Sequence, residues 1–100
     1  MVDVVLTRLA RADLAEIDRY TFAQYGTEAA DRYTRGFATA FDLLARHPQA
    51  GATRPDLGDG MRCLVHHRHR VFYACDDQRV VVIRVLHHAR DARSQLGTKP

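Results

Sequence analysis

The run Val80-Val81-Val82-Ile83-Arg84-Val85-Leu86 constrains this chain more than any other stretch. Its β-branched residues favour a strand, where the branched side chain fits the pleated surface. Side chains alternate across a strand, so a nearly continuous apolar run places apolar groups on both faces. Such a strand is covered on both sides, or lies inside a sheet. Arg84 interrupts the run. A buried arginine must be paired, and Asp91, shortly after the strand, is the expected partner.

The rest of the chain supplies neighbours for this strand. Val2 to Leu6 reads as a first strand. Thr7 is placed to cap a helix running to about Gln24, with Ala10, Leu14, Ile17 and Thr21 as its apolar stripe. Gly26 suits the end of that helix, in a left-handed turn. Thr27 is expected to cap a second helix to about Arg46, striped by Ala30, Tyr33, Phe37, Ala40, Phe41 and Leu44, and Pro48 stops it. So short a link makes the two helices an antiparallel hairpin. Residues 48–61 carry three glycines and two prolines before Met61, a loop composition. Strands follow at Met61–His66, Arg70–Cys75 and Val80–Leu86, with Asp76-Asp77-Gln78-Arg79 as the turn joining the last two. The expectation is an α+β fold of order β-α-α-β-β-β, a helical hairpin on one face of a mainly antiparallel four-stranded sheet. Residues 1–96 are expected to form one domain, and 97–100 to fray.

No apolar run in the 100 residues approaches the roughly 18 needed for a membrane span. The opening Met1-Val2-Asp3-Val4-Val5-Leu6 is too short and too acidic for a secretory signal, so a cytoplasmic location is expected. Cys63 and Cys75 fall in two strands where a meeting is conceivable, but buried free thiols suit that compartment better. Charge is unevenly spread. Residues 1–60 hold seven arginines against nine acids, −2, whereas residues 61–100 hold seven arginines and Lys99 against three acids, +5. Five of the six histidines also lie in the second part. That bias points to an anionic partner: nucleic acid, a nucleic-acid enzyme or an acidic protein segment.

Several segments, in order, carry a resemblance. They are Ala12-Asp13-Leu14-Ala15-Glu16-Ile17; Tyr25-Gly26 with Ala30-Asp31-Arg32-Tyr33; Leu43 to Gly51; Gly60-Met61-Arg62; Arg70-Val71-Phe72-Tyr73; and Arg84-Val85-Leu86-His87-His88-Ala89-Arg90-Asp91. Together they span about residues 2–91, and the chain resembles the RelE/ParE toxin superfamily, closer to its ParE branch. The resemblance implies the toxin of a type II toxin–antitoxin pair. It implies inhibition of DNA gyrase, growth arrest, and neutralisation by a cognate ParD-like antitoxin with a DNA-binding N-terminal region and a C-terminal segment that wraps the toxin. No cofactor is implied.

The alternative is the RelE-type activity, ribosome-dependent mRNA cleavage. It needs a base, an acid and cations on the scissile phosphate. His66, Arg62, His87 and Arg90 are the residues that would supply them. Many RelE-type toxins carry a tyrosine near the C-terminus; here none follows Tyr73, which favours the gyrase reading. Direct nucleic-acid binding is expected only for the nuclease. For a protein target the candidate contacts are His87, His88, Arg90, Arg62 and Arg70. His66-His67 and His69 lack the acid or cysteine pattern of a metal site, so no metal is expected. Leu9, Tyr20, Phe22 and Leu43 lie off the main stripes. An amphipathic antitoxin helix would bury them.

Overall fold

The computed structural model describes residues 1–96. The expectation for 97–100 lies outside the described residues. The elements are β1 (Asp3–Leu6), α1 (Arg8–Tyr25), α2 (Thr27–Arg46), β2 (Ala52–Thr53), β3 (Met61–His66), β4 (His69–Cys75), β5 (Arg79–His87) and α3 (Ala92–Gln95), with a turn of 3-10 helix at Pro55–Leu57. The sheet has five strands, not four, in the order β1-β5-β4-β3-β2. β1 runs parallel to β5, and the other pairs are antiparallel. The additional strand is β2, two residues that pair Ala52 with Cys63 and Thr53 with Arg62.

Thr7 caps α1 as expected, its hydroxyl oxygen accepting from the Ala10 amide at 3.0 Å. Thr27 does not cap α2. Gly26 serves as both the last cap of α1 and the first cap of α2, with φ +94° and an extended ψ of 178°. An added Cβ there would meet nothing within 4 Å, so the backbone angle, not crowding, calls for glycine.

β5 is covered on both faces, as its composition requires. Val80, Val82 and Val85 pack with Ala10, Phe37 and Leu44 of the helices. Leu86 packs on the opposite face with Leu57, Met61, Cys63, Phe72 and Ala92. Val82 and Val85 are three apart, yet share a face. The pairing explains this: Tyr73 faces Val82 and Phe72 faces Arg84, so Ile83 is an extra residue in a bulge that resets the alternation. The two cysteines are free and on opposite faces, Cys63 in the second cluster and Cys75 against the first. A bond between them is therefore ruled out by the alternation of the sheet.

The loop before β2 is pinned by Tyr73, which is wholly buried. Its hydroxyl donates to the Pro48 carbonyl and accepts from the Gly51 amide, both at 2.8 Å. A Cβ on Gly51 would come within 2.8 Å of that ring and 2.7 Å of the Cys63 carbonyl oxygen, so only glycine lets the loop approach this closely.

Candidate functional site

The histidine-rich half of the sequence folds to one end of the sheet. β3 and β4 are joined by the two-residue turn His67-Arg68, with His67 at φ +53°. Register sets His66 opposite His69, and His69 opposite His87. His88 follows, its amide donating to the Arg68 carbonyl at 2.8 Å. The rings of His66 and His67 lie 4.7 Å apart, those of His69 and His87 5.4 Å, and those of His87 and His88 4.4 Å.

These histidines are not equivalent. Tyr33 of α2 lies beneath them, and its hydroxyl is hydrogen-bonded to His69 Nδ1 at 2.8 Å. Burial, then the neighbouring His87, His66 and His88, pushes His69 down to about 4. Burial and His67 also lower His66. Both imidazoles are thus held neutral at pH 7. The His66 ring lies 4.5 Å from Phe37, and its Nε2 has no hydrogen-bond partner. It faces Gly36, where a Cβ would stand 2.8 Å from that nitrogen. A glycine inside a helix was the available signal for this close approach. Among the described residues, no group of three His, Cys, Asp or Glu is placed to hold a metal ion.

The arginines divide into committed and free. Arg84 is paired, but with Asp13 of α1 and not with Asp91. Nε and Nη2 each reach the Asp13 carboxylate at 2.8 Å, and Nη1 donates to the Gln95 carbonyl at 3.1 Å. The Asp13 hydrogen bond, first, and its charge hold the guanidinium pKa above its ordinary value. Asp91 instead caps α3, accepting from the Arg93 amide and the Ser94 hydroxyl. β1 ends at Leu6, so β5 loses its parallel neighbour beyond Val82. Side chains of the α1 turn replace it: the Thr7 hydroxyl donates to the Ile83 carbonyl, and Asp13 accepts from the Val85 amide. This need for edge partners, 71 residues distant in sequence, is what selects Asp13 over Asp91.

Arg62 is also committed, donating to the Gln49 and Gly51 carbonyls. It lies four residues along β3 from His66, about 13 Å away at strand rise. The fold therefore gathers His66, His87, His88 and Arg90 at one end and leaves Arg62 at the other. Arg90 donates to the Gln95 side chain at 2.7 Å. Arg68 and Arg70 make no ion pair and no side-chain hydrogen bond among the described residues. Arg70 was a candidate from the sequence, and Arg68, the more exposed, was not.

Leu9, Tyr20, Phe22 and Leu43 are all exposed, as are Tyr25 and Val65. By helical period, Leu9 and Tyr20 flank the α1 stripe on one side and Phe22 on the other. Between α1 and α2 runs an apolar groove of about 370 Å³ lined by Leu14, Ile17, Phe37 and Phe41. Asp18 and Thr34 are hydrogen-bonded beside it at 3.0 Å. No helix of the described residues is long and apolar enough to cross a membrane.

The family model for the ParE toxin of the type II toxin-antitoxin system, parDE, matches residues 4–92. The chain belongs to the ParE toxin family. It is 38% identical to toxin ParE1 of Caulobacter vibrioides, over 92% of this chain and 95% of that toxin. It is 28% identical to toxin ParE3 of the same organism, over 96% of each chain. A chain of the chromosomal ParDE toxin–antitoxin system from P. aeruginosa shares the fold with TM-score 0.74 at 22% identity, over 87% of this chain and 96% of that one. A chain of the RelBE2 toxin–antitoxin complex from Mycobacterium tuberculosis is similar at TM-score 0.57 and 28% identity, over 86% and 96%. The ParE-family chain thus presents a histidine-lined sheet end and a helical hairpin with exposed apolar side chains.

Proposed function

We propose that this chain is the toxin of a ParDE-type pair, that it arrests growth by inhibiting DNA gyrase, and that a ParD-like antitoxin neutralises it. The match of residues 4–92 to the ParE toxin family carries this reading. The target would meet the end of β5 and the segment after it, through His87, His88 and Arg90. The antitoxin would wrap the helical hairpin with its C-terminal segment, burying Leu9 and Tyr20 on one flank of α1, Phe22 on the other, and Leu43 on α2.

The arrangement of side chains supports gyrase over mRNA as the target. Two of the histidines beside the β3–β4 turn are held neutral and partly buried. Arg62 and Arg84 are occupied by loop and helix partners, so neither is free to hold a scissile phosphate. Tyr73, the last tyrosine, is locked in the core. The nuclease alternative keeps one observation in its favour, the exposed His67 and His88 beside Arg68 and Arg90.

A supercoiling assay with purified gyrase tests the reading. Inhibition near stoichiometric toxin, relieved by the antitoxin, is the expected result, with translated mRNA left intact. Unaffected supercoiling with cleaved mRNA would replace this reading with the nuclease.

A further inference from the structure

Residues 61–100 carry a net charge of +5. Residues 61–75 contain no acid, and neither do residues 83–90. Strand pairing sets these two segments side by side, which places Arg68 and Arg70 against the end of β5 with no acid in either segment. Asp13 is spent on Arg84, and Asp91 on the α3 cap. Arg19 pairs with Glu16, Arg46 with Asp42, and Arg54 with Asp56. Arg68 and Arg70 have no side-chain partner among the described residues, and unlike Arg8, Arg32, Arg35 and Arg79, which also have none, they have no acid within five residues in sequence.

We propose that the β3–β4 turn and the adjoining end of β5 bind the phosphate backbone of a nucleic acid, with Arg68 and Arg70 as the principal phosphate contacts. The two are set at the turn and first residues of β4, and the His88 amide, donating to the Arg68 carbonyl, holds the segment after β5 beside the turn. The exposed rings of His67 and His88 lie on the same end and offer faces for bases of an unpaired strand. Guanidinium forks match phosphate oxygens bidentately.

Nucleic acid fits this surface better than an acidic peptide does. A peptide partner draws most of its affinity from apolar anchors buried at the centre of the interface. Around the turn the exposed residues are His67, Arg68, His88, Ala89 and Arg90, and Val65 is the one large aliphatic among them. Duplex DNA needs no such anchor, since it offers a negative charge about every 1.7 Å of axis. The sequence ties direct nucleic-acid contact to the nuclease. Here it requires no catalytic group, only unpaired cations, and it is independent of the gyrase reading.

The test measures fluorescence anisotropy of the full chain with a labelled 20-base-pair DNA duplex and with a 20-nucleotide single-stranded RNA, across a potassium chloride series. Arg68→Gln and Arg70→Gln are compared with Arg19→Gln, which removes the same charge from exposed α1. Circular dichroism checks that each variant is folded. Each tip substitution should weaken binding about tenfold near 0.1 M salt and reduce the salt slope by about 0.9 for the duplex. Arg19→Gln should leave both close to wild type. Binding to the duplex, the RNA or both supports the proposal and identifies which backbone is preferred. The proposal fails if neither probe binds at low salt, if the tip variants keep the wild-type slope, if Arg19→Gln loses as much, or if a poly-glutamate peptide binds while both nucleic acids do not. The supercoiling assay is separate, so either result can fail alone.

Discussion

Arg84 sits among aliphatic residues, and its guanidinium is satisfied by two carboxylate oxygens and a backbone carbonyl. Its side chain and that of Asp13 are 13% and 14% exposed, so removing one partner strands the other in a poorly solvated place. Arg84→Leu should lower unfolding free energy by about 3 kcal/mol, read from urea melts, the low end for breaking a buried pair. A loss below about 1 kcal/mol would show the pair to be no more than a surface contact. The sequence showed that Arg84 needed a partner but not which one. Proximity in the chain suggested Asp91, whereas the bulge at Ile83 and the end of β1 present Arg84 to α1. Gly36 is a second case. Gly36→Ala would place a Cβ 2.7 Å from His66 Cε1, and that ring is flanked by Phe37 and Tyr33, which crowd its retreat. The substitution should cost about 1–3 kcal/mol despite the better helix propensity of alanine. In a His66→Ala background most of that cost should vanish in a double-mutant cycle; additive effects would refute the clash.

Strand ends and turns decide the behaviour of the elements. β3, β4 and β5 were legible because alternation and an apolar run each imprint a period on the sequence. β2 was not, since Ala52-Thr53 is too short to carry a period and gains its structure only by pairing with Cys63 and Arg62. The first turn of α2 was misread for a local reason: Gly26 holds the cap position, and Thr27 is already inside the helix. The meeting of β4 with β5 also has a pH consequence. His69 titrates at about 4 in the folded chain against 6.5 ordinarily, so the fold accepts its neutral form. The unfolded chain takes up the proton first as pH falls. Stability from this group is therefore whole above about pH 6.5 and declines towards pH 4. After allowance for solvent screening the decline is about 2 kcal/mol. His66 adds to it in the same direction. Urea midpoints between pH 7 and 5 should fall for the wild type and flatten for His69→Gln. Parallel pH profiles for the two would remove His69 from this role.

At the scale of the whole molecule, the fold separates two surfaces. The cationic end lies where β3, β4 and β5 meet; the apolar groove lies between α1 and α2. Family membership supplies a reason for the second: a toxin kept with an antitoxin can leave apolar surface uncovered because its resting state is the complex. Phe22 and Leu43 are 56% and 41% exposed, so replacing them with serine removes little from the core. In a complex each would contribute about 1–3 kcal/mol of apolar burial, so the pair should weaken antitoxin binding by about a hundredfold or more. With the target meeting the end of β5 as proposed, the same variant should inhibit gyrase as wild type does. The expected phenotype is a toxin that still arrests growth but needs more antitoxin for rescue, measured by titrating antitoxin expression beside calorimetric affinity. Heat melts give a second reading: antitoxin at a thousand times Kd should stabilise the wild type by about 4 kcal/mol and the variant distinctly less. If Phe22→Ser/Leu43→Ser loses toxicity and keeps antitoxin affinity, the hairpin is the target surface and the two assignments must be exchanged.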